Sequence, residues 1–151
     1  DPQLGQLDDF PPLASLQTIE HGQSLHLGPL ALTAHATPGH APGGTSWSWQ
    51  SCQDGQCLDM VYADSLSPAA APGYRHSDHP AYVAAFQASI DTVAQLPCAV
   101  LITPHPLASN LFARMAGTAA LVDDQACQRY AATARTALAA RLAREAATPT
   151  P

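Results

Sequence analysis

Asp54-Gly55 constrains the fold of this chain more than any other feature, because it supplies the two positive-φ positions that a two-residue hairpin turn needs. Apolar and β-prone runs flank it at 45–50 and 58–63. Centring the turn there sets Cys52 directly opposite Cys57. The neighbouring pair, Gln53 and Gln56, takes the hydrogen bonds, which leaves the cysteines as a non-hydrogen-bonded pair about 4.5 Å apart at Cα. That spacing suits a disulfide. Four cysteines allow three pairings. With Cys52 and Cys57 joined, Cys98 and Cys127 remain for each other. Two disulfides imply an oxidising compartment, the periplasm or the medium outside the cell. The plainer alternative is four buried thiols. A structural zinc is disfavoured, since the spacings do not form paired Cys-x-x-Cys knuckles.

The same register faces Trp49 with Met60 and Trp47 with Tyr62, giving the hairpin one apolar face. Upstream, 24–27 and 30–36 read as short strands separated by Gly28-Pro29. Downstream, Tyr82, Phe86, Ile90 and Val93 recur at helical spacing over 81–96, with Ser77 or Asp78 as cap candidates and Pro80 in the first turn. A buried-type strand at 99–103, a short helix at 107–116 and a long final helix to about 147, capped by Asp123 or Asp124, complete an α/β chain. Residues 1–23 read as loop or linker and 148–151 as a disordered tail.

At 151 residues the chain is one domain's worth. With 14 prolines, nine glycines and only 6% aromatics, its core leans on alanine and leucine and is thin for its length. The net charge is −6 and every basic residue is an arginine, so no basic patch points to nucleic acid. No apolar run approaches the roughly 18 residues of a membrane helix, and Asp1-Pro2-Gln3-Leu4-Gly5 has no signal-peptide character. The expectation is a mature product or a piece of one.

Chemistry is expected where two apolar runs end alike, at Thr37-Pro38-Gly39-His40 and Thr103-Pro104-His105-Pro106. Proline cannot continue a sheet ladder, so each run presents its histidine on a loop at a strand end. Extending the hairpin register puts Thr45 opposite Asp64 and Gly44 opposite Ser65, which gathers His40, Asp64, Ser65 and Ser67. Gly43 and Gly44 permit close backbone approach there. A lone histidine in a turn is more often a hydrogen-bonded surface residue, and serines after a strand often only cap or turn. Two histidines are not a metal site, because a catalytic zinc takes about three protein ligands plus water. His76-Ser77-Asp78-His79 offers two more imidazoles, but helix capping and solvation account for them.

Thr37-Pro38-Gly39-His40-Ala41-Pro42-Gly43-Gly44-Thr45-Ser46-Trp47, Tyr62-Ala63-Asp64-Ser65-Leu66-Ser67 and Thr103-Pro104-His105-Pro106, in that order, resemble the second half of class B, subclass 3 metallo-β-lactamases. The resemblance runs from about Leu25 to Ala147 and takes in the Leu96-Pro97-Cys98 junction and Cys127. It implies the C-terminal half (24–147) of an αββα sandwich with two zinc ions at one edge. His40 matches the histidine that completes the first zinc site, and His105 the one that completes the second. Ser65 and Ser67 match residues that help hold the substrate carboxylate, and Tyr74 a tyrosine near the oxyanion. The remaining ligands belong to a His-x-His-x-Asp-His motif in the first half, which this sequence lacks.

The implied reaction is hydrolysis of the β-lactam amide by a zinc-bound hydroxide, and hence antibiotic resistance. With two histidines the chain alone is expected to be inactive, its partners being the β-lactam and an N-terminal fragment carrying the other ligands. Folded alone it would also expose a sheet face and edge. Two readings compete. One is another hydrolase of the superfamily, such as a glyoxalase-like thioesterase or lactonase, in which an aspartate near Asp64 bridges the metals; Ser65 and Ser67 argue against it. The other is a non-catalytic, disulfide-stabilised binding module.

Overall fold

The computed structural model describes Pro11 and residues 14–148. Part of the expected N-terminal loop (1–10, 12 and 13) and the tail residues 149–151 lie outside the described residues. Five strands form one sheet in chain order: β1 Ser24–Leu27, β2 Leu30–Ala36, β3 Thr45–Gln53, β4 Gln56–Tyr62 and β5 Val100–Ile102. The first four meander antiparallel, and β5 joins β4 in parallel after the crossover helix α1, Pro80–Gln95. That crossover is what a parallel pair requires. Two further helices follow, α2 Leu111–Met115 and α3 Ala126–Ala147.

The Asp54-Gly55 turn forms as the dipeptide dictates, with φ of 52° and 81°. Cys52 pairs with Cys57 in register and the two are bonded, as are Cys98 and Cys127. Among the described residues no cysteine is free.

Alternation along the strands decides where the core lies. Val61 and its parallel partner Leu101 face the helices and join Phe86, Ile90 and Val93 of α1 and Cys127, Ala131, Ala134 and Leu138 of α3. These positions recur three and four residues apart, so each helix turns one stripe inward. Ala131 and Ala134 carry no bulk, which lets α3 lie close against α1. Trp47, Trp49, Met60 and Tyr62 stand on the opposite sheet face and are only half-buried.

Four local expectations are corrected. The segment 107–116 is broken at Asn110, whose left-handed backbone (φ 51°) separates a 3₁₀ turn, Pro106–Ser109, from α2. Asparagine tolerates that conformation better than most residues. Among the described residues neither long helix receives a side-chain cap. Ser77 and Asp78 instead lie in a 3₁₀ turn before α1, and Asp123 accepts the Gln125 N–H and pairs with Arg129. The hairpin ladder also stops at Trp47 and Tyr62, because the Ala63 N–H turns to the Ile102 carbonyl at 2.9 Å.

Candidate functional site

The carboxyl ends of β2, β4 and β5 and the start of β3 meet at one sheet edge, which follows from the registers Ala36 with Thr45, Trp47 with Tyr62 and Tyr62 with Ile102. Every segment leaving that edge carries a residue singled out from the sequence: His40 after β2, Asp64, Ser65 and Ser67 after β4, and His105 after β5. In α/β sheets such an edge is the usual place for a ligand.

The His40 loop is fixed by packing. Thr37 is fully buried, its hydroxyl 2.9 Å from that of Ser46, and its N–H donates to the Gly44 carbonyl at 2.8 Å. A Cβ on Gly39 would lie 2.3 Å from the Phe86 ring, and one on Gly44 would lie 2.5 Å from the Thr37 carbonyl oxygen. Both glycines serve the loop's own packing. Gly43, by contrast, has open space around it, so the expected ligand-facing role for the pair is not what fixes Gly44. Ser89 of α1 donates to the Pro38 carbonyl at 2.7 Å.

The segment after β4 is fixed by hydrogen bonds where the ladder ends. Asp64 accepts the N–H of Ser65 through one oxygen (2.7 Å) and that of Thr45 through the other (3.2 Å), while its own N–H donates to Ser46 Oγ at 3.0 Å. Tyr130 of α3 donates to the Asp64 carbonyl and accepts the Leu66 N–H. Burial pushes the Tyr130 phenol up. Ser65 is buried and its hydroxyl accepts the Ser67 N–H at 3.3 Å, whereas Ser67 is exposed. The Ser67 carbonyl lies 3.0 Å from His40 Nδ1. A carbonyl can only accept, so the neutral ring carries its proton on Nδ1 and leaves Nε2 with a free lone pair. Imidazoles that bind metals are oriented this way.

His105 is exposed, and its carbonyl accepts the Thr103 hydroxyl (2.8 Å) and the Ala108 N–H (2.9 Å). Thr103 is buried, and its hydroxyl also lies 3.0 Å from Ser109 Oγ. Arg114, buried behind this loop, donates to the Leu101, Ser109 and Leu121 carbonyls. Tyr74 belongs to another neighbourhood, stacked on His79 at 4.8 Å and edge-on to His76 at 5.3 Å. Among the described residues no group of three or more His, Cys, Asp or Glu side chains could hold a metal ion. The described residues alone therefore do not complete a zinc site.

The sequence reading missed Thr37, Ser46, Thr103, Tyr130 and a clamp around Glu145. Glu145 is 6% exposed and accepts the N–H groups of His76 (3.2 Å) and Ser77 (2.8 Å) together with Arg141 Nε. Burial pushes its carboxyl up, but the bonds from Arg141, Ser77 and His76 outweigh that and hold it down at about 2. One signal was available: Glu145 is the only acid in α3 and sits in the last turn, where the helix dipole opposes it. His76, expected to be solvated, is fully buried.

No family model matches the chain. Solved structures do. It superposes on the metallo-β-lactamase MIM-1 from Novosphingobium pentaromativorans with a TM-score of 0.92 and 47% identity, covering 97% of this chain and 54% of that one. The Rm3 metallo-β-lactamase follows with 0.89 and 45%, over 97% of this chain and 57% of that one. MEM-A1, a subclass B3 enzyme from a soil metagenome library, gives 0.89 and 45%, over 97% and 59%. The chain thus spans a little over half the length of the structures it matches. Over that half of the fold, the chain is similar in structure and sequence to metallo-β-lactamases, the subclass B3 enzyme MEM-A1 among them.

Proposed function

We propose that the chain is the C-terminal half of a zinc-dependent β-lactam hydrolase, acting in antibiotic resistance in the periplasm or outside the cell. The observation that carries this reading is that His40, its Nε2 freed by the Ser67 carbonyl, and His105 leave strand ends at the same edge of the sheet, with β3 and β4 between them. On this reading residues 24–147 form the catalytic half, 1–23 a preceding linker and 148–151 a tail. Since the described residues alone do not complete a metal site, the other ligands would come from an N-terminal segment carrying His-x-His-x-Asp-His. Zinc bound there would supply a water activated near neutral pH. The chain's own part would be positional: His40 and His105 would each contribute one nitrogen, to separate ions. Ser67, exposed, with its carbonyl on His40, and Ser65, whose hydroxyl accepts the Ser67 N–H, would help hold the substrate carboxylate. Tyr74, matched in sequence to a tyrosine near the oxyanion, keeps that proposed role although its ring stacks on His79 in another neighbourhood.

Asp64 weighs against the thioesterase or lactonase alternative. Both of its oxygens receive backbone N–H groups, so the carboxylate already has a role in closing the turn. The half-buried face with Trp47, Trp49, Met60 and Tyr62 is the surface that the N-terminal half would cover. A chromogenic cephalosporin assay on the protein carrying both halves tests the proposal. Expected are chelator-sensitive hydrolysis, two zinc ions per assembled protein, and loss of more than about 100-fold in activity for His40→Ala and His105→Ala. Full activity in either variant, or two tightly held zincs in these 151 residues alone, would overturn it.

A further inference from the structure

Two imidazoles address two consecutive carbonyls of one peptide segment. His40 donates from Nδ1 to the Ser67 carbonyl at 3.0 Å, from the open side of the sheet edge. His76 lies 3.3 Å through Nε2 from the Pro68 carbonyl, from inside. As with His40, the carbonyl fixes the tautomer, here with the proton on Nε2. His76 Nδ1 is then buried with no hydrogen-bond partner among the described residues. A buried, unpaired ring nitrogen costs free energy that a phenylalanine there would not, so the histidine's other nitrogen must matter.

The backbone of His76 is itself held. Its N–H and that of Ser77 donate to the two oxygens of Glu145, and Arg141 grips the same carboxylate while donating to the Tyr74 carbonyl at 2.8 Å. Arg75 reaches back to the Glu145 and Thr148 carbonyls. A second route leads from His76 to the same place, since its ring lies 6.4 Å from that of Phe86, which packs directly on Gly39 beside His40.

We infer that His76, anchored by Glu145, is a positioning residue for His40: holding the Pro68 carbonyl fixes the adjoining Ser67 carbonyl, which sets the tautomer and orientation of the His40 ring. Its importance for metal binding rests on the proposed function; its effect on the His40 ring does not. The segment after β4 has no ladder partner beyond Ala63, so something other than the sheet must hold Ser67 and Pro68. His76 does this from a buried position.

The test uses the protein carrying both halves, read in two ways. In the zinc-free protein, ¹⁵N shifts of the His40 ring report its tautomer. Wild type should show the Nδ1–H form, His76→Phe a mixture with Nε2–H, and His76→Gln, whose amide can still donate to Pro68, the wild-type form. With zinc added, His76→Phe should bind about tenfold more weakly and His76→Gln within about twofold of wild type. A His40 ring in folded His76→Phe that is indistinguishable from wild type overturns the inference. Should that variant not fold, Glu145→Gln is expected to move the His40 shifts in the same direction by less, and unchanged shifts there overturn it equally. If wild type binds no zinc but the tautomer still responds to His76, the proposed function fails and the positioning role stands.

Discussion

The loop after β2 and the loop after β5 begin with the same Thr-Pro pair and each carries a histidine, yet they are fixed by different means. The first is wedged: Gly39 presses on Phe86, Gly44 on the Thr37 carbonyl, and His40 hangs on Ser67. The second is tied by its own polar groups, Thr103 to His105 and Ser109, with Arg114 collecting carbonyls behind it. Among the described residues, no hydrogen bond holds the His105 ring. The difference teaches that one histidine is oriented by its own chain, while the other is only delivered to the edge.

The sharpest way to break this contrast is to add one methyl group. Gly39→Ala should destabilise the protein by about 3 kcal/mol, because the Cβ meets the Phe86 ring rather than a flexible side-chain end. Urea unfolding measures it, and a loss under about 0.5 kcal/mol would show that the loop yields.

Acid should separate the loops next. Glu145 stands behind the His40 segment, and its carboxyl is held at about 2 in the folded state against an ordinary 4.5. A depressed folded value means that its contribution is complete above about pH 4.5 and is lost as pH falls towards 2. Amides of 65–79 should therefore lose exchange protection in that window before those of 103–109. Glu145→Gln should lower stability by about 2 kcal/mol at pH 7 and flatten the acid limb. An acid limb unchanged by that substitution would remove Glu145 as its cause.

The smallest effects come from the threonines. Thr37→Val takes from the buried Ser46 hydroxyl its only side-chain partner, leaving it the Asp64 N–H, and should lose about 1.5 kcal/mol, while Thr103→Val leaves the His105 carbonyl still bonded to Ala108 and should lose nearer 1. Equal or inverted losses in thermal melts would erase the distinction.

Much of this architecture was legible because short-range chemistry determined it. Asp54-Gly55 leaves one register for the hairpin, and with it the Cys52–Cys57 bond and the approach of β3 to Asp64. The edge that gathers His40 and His105 followed from prolines that end strands. What escaped depends on partners far apart in the chain. Glu145 and His76 are separated by 69 residues, and no spacing rule connects them. The ladder's end at Tyr62 escaped for a related reason: Ala63 prefers β5, a strand whose position only the packing of α1 decides. His76 looked solvated because its neighbours Ser77, Asp78 and His79 are. A single side chain turned inward leaves no periodicity to read.

The order of the sheet has a kinetic consequence. From β1 to β4 each strand needs only its immediate predecessor, so those pairings close short loops and should form early and locally. Strand β5 alone must wait for a helix to carry it back, and three residues is little reward for so long a closure. The edge that collects both histidines is therefore completed by the slowest and shortest pairing in the sheet. The Cys98–Cys127 bond, which ties the residues leading into β5 to the start of α3, secures that late arrival once it has been made.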